Sequence, residues 1–295
     1  MFDLRYHVAS LAAVFLALLI GILVGVGLSG RVDEKESDLL RERINALESR
    51  LESAGEGRAN LVREQKAARA FIDDAYPLLV ENRLRGKRIA ILFVGSVDES
   101  LRDDVEEVLG DAGARTPLRM RALKIPIDEK RIDGALDGHA ELEQYRGSNA
   151  LDALGRELGS EFVAGADTPG WDALASLLVE EKAASLQRSA DGAVVMRTVD
   201  PQSAETARFL SGLYAGLAES GVPVVGVESS GEEPSAVEVW DEMGLSTVDD
   251  VDAPAGRLAL ALLLAGGRPG NYGLNDTAAD GILPPIEPLS PEAGG

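Results

Sequence analysis

Cysteine is absent from this chain. That removes disulfides, zinc–thiolate centres and thiol nucleophiles together, without reporting the compartment. Aromatic residues make up only 4%, which argues against a transmembrane β-barrel, whose lipid face needs repeated strands bounded by aromatic girdles. Histidine occurs twice, as His7 and His139, far apart and with no matching ligand or triad set, so an isolated surface residue is the simpler reading of each. The four methionines, Met1, Met120, Met196 and Met243, are scattered, whereas Cu(I) favours thiolate and thioether ligands in clusters. Positive charge is scarce: 29 Lys plus Arg stand against 50 Asp plus Glu, a formal charge of −21. Such a surface repels nucleic-acid phosphates and anionic headgroups, so neither is an expected ligand. Solubility accounts for the charge, with a diffuse cation buffer as the alternative.

What the chain does have is an uncharged apolar run at 8–28. About 20 such residues are what a helix needs to cross a hydrocarbon core of ~30 Å. A cleaved signal has a shorter apolar core and a small-residue cleavage site, and Gly25-Val26-Gly27-Leu28-Ser29 is a poor match to one. A permanent single-pass anchor in the cell membrane is therefore expected, in contact with the lipid bilayer. Arg5 precedes the run while Arg31 and Lys35 follow it, so charge counting barely sets the orientation; a short inside amino terminus with the bulk outside the cytoplasm is the commoner solution. Ala9, Ala13, Ala17, Gly21, Gly25 and Ser29 recur at every fourth position, a stripe that lets two helix backbones approach closely in lipid. Small residues are also simply common in membrane helices.

A heptad pattern follows, from about 33 to 79. Ile44, Leu51, Ile72 and Leu79 occupy position a, and Leu40, Leu47, Ala54, Leu61, Ala68 and Ala75 occupy d. β-Branched a with Leu at d, as at Ile44 and Leu47, is the preference of parallel two-stranded coils. Arg58 and Gln65 at a, near Gly55 and Gly57, weaken the middle and can specify register. The expected dimer interface is Ala13, Ala17, Gly21, Gly25, Leu40, Ile44, Leu47, Leu51, Leu61 and Ile72. A helix folded back onto its own domain is the alternative. Tyr76-Pro77 predicts an end or kink, because residues before proline avoid the helical region.

Beyond the stalk, strands and helices alternate with glycine-containing turns. Strands are predicted at 88–94, 118–125, 193–199 and 222–227, with a brief edge strand at 247–248. Helices are predicted at 98–110, 150–158, 171–186, 204–219, 236–243 and 255–264, and loop from Asn271 onward. The natural assembly is a doubly wound, mostly parallel, Rossmann-like sheet. The expected organisation is an anchor at 1–30, a coiled-coil stalk at 31–80, an extracytoplasmic α/β domain at 81–283 and a Pro/Gly-rich tail at 284–295.

Chemistry is sparse. The first strand leads into Gly95-Ser96-Val97-Asp98, which fits neither dinucleotide nor P-loop spacing. Its amides can hold a small anion, and a helix cap by Ser96 or Asp98 explains the same residues. Asp249-Asp250-Val251-Asp252 gathers carboxylates of the kind hard cations take, but a solvated loop capping the next helix explains them too. No cofactor is evident and no catalytic set stands out, so a non-enzymatic protein is expected.

Several segments together resemble the actinobacterial MctB-type copper transport family: Arg5-Tyr6-His7 with 12–17, Gly86-Lys87-Arg88, Ser246 through Asp252 with Gly256, and Asn271-Tyr272-Gly273. The likeness runs from the anchor to about residue 285. It implies an envelope protein of copper homeostasis or efflux, described in the family as an outer-membrane or pore-forming component, with copper as cargo. It also implies His at the Asn271 position in many relatives, so this chain lacks one conceivable ligand there. Other relatives are linked to cell separation, as membrane-anchored partners of peptidoglycan hydrolases. A single apolar helix cannot line a pore, nor does an α/β domain span lipid; residue-level reasoning favours a dimeric scaffold that engages a cell-wall hydrolase or another envelope protein. An enzyme acting at the carboxyl ends of the strands is the third possibility.

Overall fold

The computed structural model describes residues 4–114, 119–185, 188–197 and 202–288, with side chains at 4–9, 27–39, 148 and 181–185 left undescribed. The chain divides into two compact units, Met1–Arg69 and Ala70–Gly295. A single helix, α1 (Leu4–Val80), runs through the first unit into the second. Gly55 and Gly57 face open space and do not interrupt it. Pro77 sits inside α1 rather than ending it; its carbonyl still accepts from Glu81 N at 3.1 Å, which completes one more turn.

Among the described residues no helix is long and apolar enough to cross a membrane. The described side chains of the apolar run cover 10–26 only, and all of them are exposed. Ala13, Ala17, Leu40, Ile44, Leu47, Leu51, Leu61 and Ile72 are exposed on α1, and nothing lies within 4 Å of the position a Cβ would take at Gly21 or Gly25. Met1 and the tail beyond 288 lie outside the described residues.

In the second unit the strands are β1 (Ile89–Val94), β2 (Arg119–Leu123), β3 (Val179–Ser185), β4 (Gly192–Arg197), β5 (Val224–Val227), β6 (Ser246–Val248) and β7 (Asn271–Tyr272). They form one sheet in the order β3-β2-β1-β4-β5-β6-β7. All pairings are parallel except β2 with β3. β1 lies between β2 and β4 and is buried along its whole length, as its unbroken apolar sequence requires of a strand covered on both faces. The sheet carries α2 (Glu99–Asp111), α8 (Pro254–Ala265) and the end of α1 on one face. On the other lie α3 (Glu129–Leu136), α4 (Leu151–Ala164), α5 (Pro169–Leu178), α6 (Ala204–Ala218) and α7 (Val237–Glu242). The expected doubly wound, mostly parallel architecture is present.

Three elements depart from the sequence reading. The helix predicted at 171–186 splits into α5 and β3; beyond Leu178 the chain loses its apolar helical period and pairs with β2 at the sheet margin, where charged residues are tolerated. The predicted edge strand at 247–248 is interior, because β7 pairs with its far side where loop was expected. Asn271 holds that two-residue strand: its Oδ1 accepts from Thr247 Oγ1 at 2.9 Å, and its N–H donates to Asp280 Oδ2 at 3.0 Å. Finally α3 forms between the strand predicted at 118–125 and the helix predicted at 150–158, where no element was predicted; it is capped by Asp128, which accepts from Arg131 N, and buried through Ile132 and Leu136.

Ion pairs tie neighbouring elements within each layer together. Arg88 grips Asp191 bidentately, Nε to Oδ2 and Nη2 to Oδ1 at 2.8 Å each, joining the starts of β1 and β4. Arg88 holds the Asp191 carboxyl below its usual range. Arg257 on α8 reaches across to α2, with Nη2 at 2.6 Å from Asp104 Oδ1 and Nη1 at 2.7 Å from Glu107 Oε2. Both the Arg257 and Asp104 side chains are largely buried, so deleting the cation strands a carboxylate. Arg257→Ala is expected to lower stability by about 1–2 kcal/mol. A urea-denaturation double-mutant cycle with Asp104→Asn checks this; purely additive effects would contradict the pairing.

Candidate functional site at the carboxyl edge of the sheet

Ligands of open α/β sheets bind outside the carboxyl ends of the strands, at the point where strand order reverses. Here that point lies between β1 and β4, since the chain leaves β1 toward β2 and leaves β4 toward β5. Its first component is the turn after β1. Asp98 caps α2, accepting from Ser100 N at 2.9 Å and Leu101 N at 3.1 Å, and Gly95 N donates to Leu123 O. Those amides are engaged within the protein. Asp98 of this turn is the cap of α2.

A cavity of about 690 Å³ opens beside it, lined by Ser96, Lys124, Asp128, Arg131, Ser176 and Glu180 among others. Both charge signs are present, which suits a polar or zwitterionic guest better than an apolar one.

At the end of β4 a second cavity of about 430 Å³ is lined by Arg197, Tyr214, Ser211, Glu242 and Met243 among others. Tyr214 and Trp240 are fully buried, their rings 6.5 Å apart and edge-on. Arg197 Nε, the Tyr214 hydroxyl and Trp240 Nε1 are all buried without a partner in hydrogen-bond geometry. Burial raises the Tyr214 pKa, and the adjacent Arg197 cation and Trp240 N–H lower it. Arg and Trp nitrogens only donate, and the Tyr214 hydroxyl oxygen lies beside both as an acceptor. No motif signalled this corner, because the three residues are far apart in sequence.

The third component is acidic. Glu228, Asp249 and Asp250 are buried at the ends of β5 and β6, where the sequence predicted a solvated loop for the aspartates. Asp249 organises the segment after β7: Oδ1 accepts from Leu274 N at 3.0 Å, and Oδ2 from Thr277 Oγ1 at 2.9 Å. Gly273, at φ 147°, is required here, since a Cβ would strike the Asp249 carboxylate. Glu228 accepts from Ser235 Oγ at 2.6 Å and Ala236 N at 2.9 Å. Burial raises its carboxyl, opposed by those two bonds. Asp252 accepts from Ser230 N at 2.6 Å. None of them caps α8, whose N-cap is Ala253 without a side-chain bond; the carboxylates clamp loops to one another.

Asp250 differs. It is fully buried, and neither carboxylate oxygen has a partner. Burial pushes its carboxyl up to about 7, with Asp249 and Asp252 acting in the same direction. Gly256 on α8 lets it fit, because a Cβ there would collide with Asp250 itself. Segments 246–252, 256 and 271–273, which carry the family likeness in sequence, thus meet at one edge of the sheet.

Among the described residues no group of three or more His, Asp or Glu side chains is arranged to hold a metal ion. His139 is half-exposed, its Nδ1 3.8 Å from Glu141 Oε1, and the His7 side chain lies outside the described residues. Met120 and Met196 are buried on one face of the sheet, and Met243 packs against the other.

The family described as "Copper transport outer membrane protein, MctB" matches residues 1–284. The protein named copper transporter MctB from Mycobacterium bovis is 28% identical over 307 aligned positions, which cover 92% of this chain and 96% of that protein. Proteins of the same name from two Mycobacterium tuberculosis strains match with the same identity and coverage. On a match that spans nearly its whole length, this chain belongs to the MctB family.

Proposed function

We propose that this chain is a single-pass, membrane-anchored envelope protein that takes part in copper homeostasis, with its α/β domain outside the cytoplasm and no catalytic activity of its own. The observation that carries this reading is the family match over residues 1–284, together with relatives named as copper transporters. The exposed, uncharged side chains at 10–26 support the anchor, since the run continues at 8, 9, 27 and 28 to the ~20 residues a span needs. Copper is the cargo in this reading, and the chain supplies no thiolate to hold it. Deleting the gene in its host is expected to lower copper tolerance and raise cell-associated copper. The full chain restores both, and a chain lacking 1–30 does not. Unchanged survival and unchanged copper content on graded copper would refute the reading.

A second reading, a dimeric scaffold that positions a peptidoglycan hydrolase during cell separation, is favoured by one observation: the heptad face of α1 from Leu40 to Leu61 is exposed in the single chain. Deletion would then leave copper tolerance intact and give chained, unseparated cells.

A further inference from the structure

Within the first unit, Leu40, Ile44, Leu47, Leu51 and Leu61 are each more than half exposed along one face of α1. A helix that shows such a stripe to solvent is incomplete by itself. We propose that a second copy of this chain covers it, parallel and in register, along residues 40–69. The parallel sense deepens the anchored reading above and rests on it in part, since two anchors in one membrane place both amino termini at the same end.

The flanking charges supply independent support. In a parallel, in-register pair, each g residue faces the e residue five positions later on the other helix. Arg43 then faces Glu48 of the second copy, and Glu64 faces Arg69 of the second copy; symmetry repeats each pair. No g-to-e pairing between 43 and 69 brings like charges together. An antiparallel pair sets g against g and e against e. A single antiparallel register satisfies Arg43 with Glu64 or Glu48 with Arg69, but not both. Ile44 at a with Leu47 at d adds the two-strand preference.

Arg58 is the weak layer, because two guanidinium groups meet across the seam. Gly55 and Gly57 flank it at e and g with nothing within 4 Å of either, which leaves the long side chain a path out to water. That layer lowers stability while fixing register, the use polar a positions have in coiled coils.

The cysteine-free chain makes the test clean. Full-length protein in detergent is sized by light scattering, and single-cysteine variants are oxidised. The expected result is a dimer mass, with Leu47→Cys (position d) cross-linking to its own copy at least about tenfold faster than Ser49→Cys (position f). Glu48→Arg weakens the dimer about tenfold at low salt, the double swap with Arg43→Glu restores it, and Arg58→Ile tightens it. A monomer or trimer mass, equal cross-linking at 47 and 49, or no rescue by the swap would each overturn the proposal. Copper tolerance plays no part in these measurements, so their failure leaves the envelope reading standing.

Discussion

Gly212→Ala is expected to cost the α/β domain about 3 kcal/mol or more, or to prevent its folding. Helices α4 and α6 cross at backbone contact distance through two glycine pairs, Gly155 with Gly159 and Gly212 with Gly216. A Cβ at Gly212 would overlap the carbonyl of Asp152, and one at Gly216 the carbonyl of Arg156. From the other side, a Cβ at Gly155 would lie 2.8 Å from Leu213 N, and one at Gly159 2.8 Å from Leu217 N. The obstructing atoms are backbone, so no rotamer change relieves the clash. The helices must separate, and separation opens a gap around Leu154, Leu158, Phe209 and Leu213, all fully buried. Close packing makes such gaps costly. Gly134→Ala in α3 is the control: it faces open space within a helix, and removing a helical glycine there should add about 0.5–1 kcal/mol. Urea unfolding of the full chain, followed by fluorescence of Trp171 and Trp240, reads both. An unchanged midpoint for Gly212→Ala would mean that the helices do not approach this closely.

That glycine spacing also shows which parts of the fold were legible. The Gly21/Gly25 spacing stood out in an apolar run, while the same spacing at Gly155/Gly159 and Gly212/Gly216 passed unread. Its meaning depends on two helices facing each other, which one-dimensional periodicity does not carry. β1, β4, β5, α6 and α8 were readable because their apolar runs or helically spaced apolar residues are bounded in the sequence by glycine or proline. β3 and β7 were not, because main-chain pairing with a neighbour creates them rather than any side-chain pattern. The burial of Asp249 and Asp250 follows from that omission: without β7 beyond β6, a run of aspartates reads as a solvated loop. The corner formed by Arg197, Tyr214 and Trp240 needed the tertiary fold altogether.

Asp250→Asn is expected to stabilise the protein near neutral pH. The native carboxyl titrates near 7 against an ordinary value of 3.8, is fully buried and has no hydrogen-bond partner on either oxygen. Its folded pKa therefore lies above its unfolded one. Below pH ~4 both states hold the proton, and ionisation makes no difference between them. As pH rises from ~4 toward ~7 the unfolded chain releases the proton first, so the folded state loses ground. A shift of this size corresponds to on the order of 4 kcal/mol by pH 8. Asparagine keeps the shape against Gly256 and stays neutral throughout. It leaves its own N–H groups unpaired, at about 1–3 kcal/mol, so its net gain at pH 8 is about 2 kcal/mol. The pH dependence is the sharper measure, because the unpaired amide contributes equally at every pH. The stability difference between Asp250→Asn and the native chain should grow by about 3 kcal/mol from pH 4.5 to pH 8. Asp191, held low by Arg88, titrates identically in both proteins and cancels. A difference that stays flat across this range would mean that Asp250 ionises in the folded state as readily as in the unfolded chain.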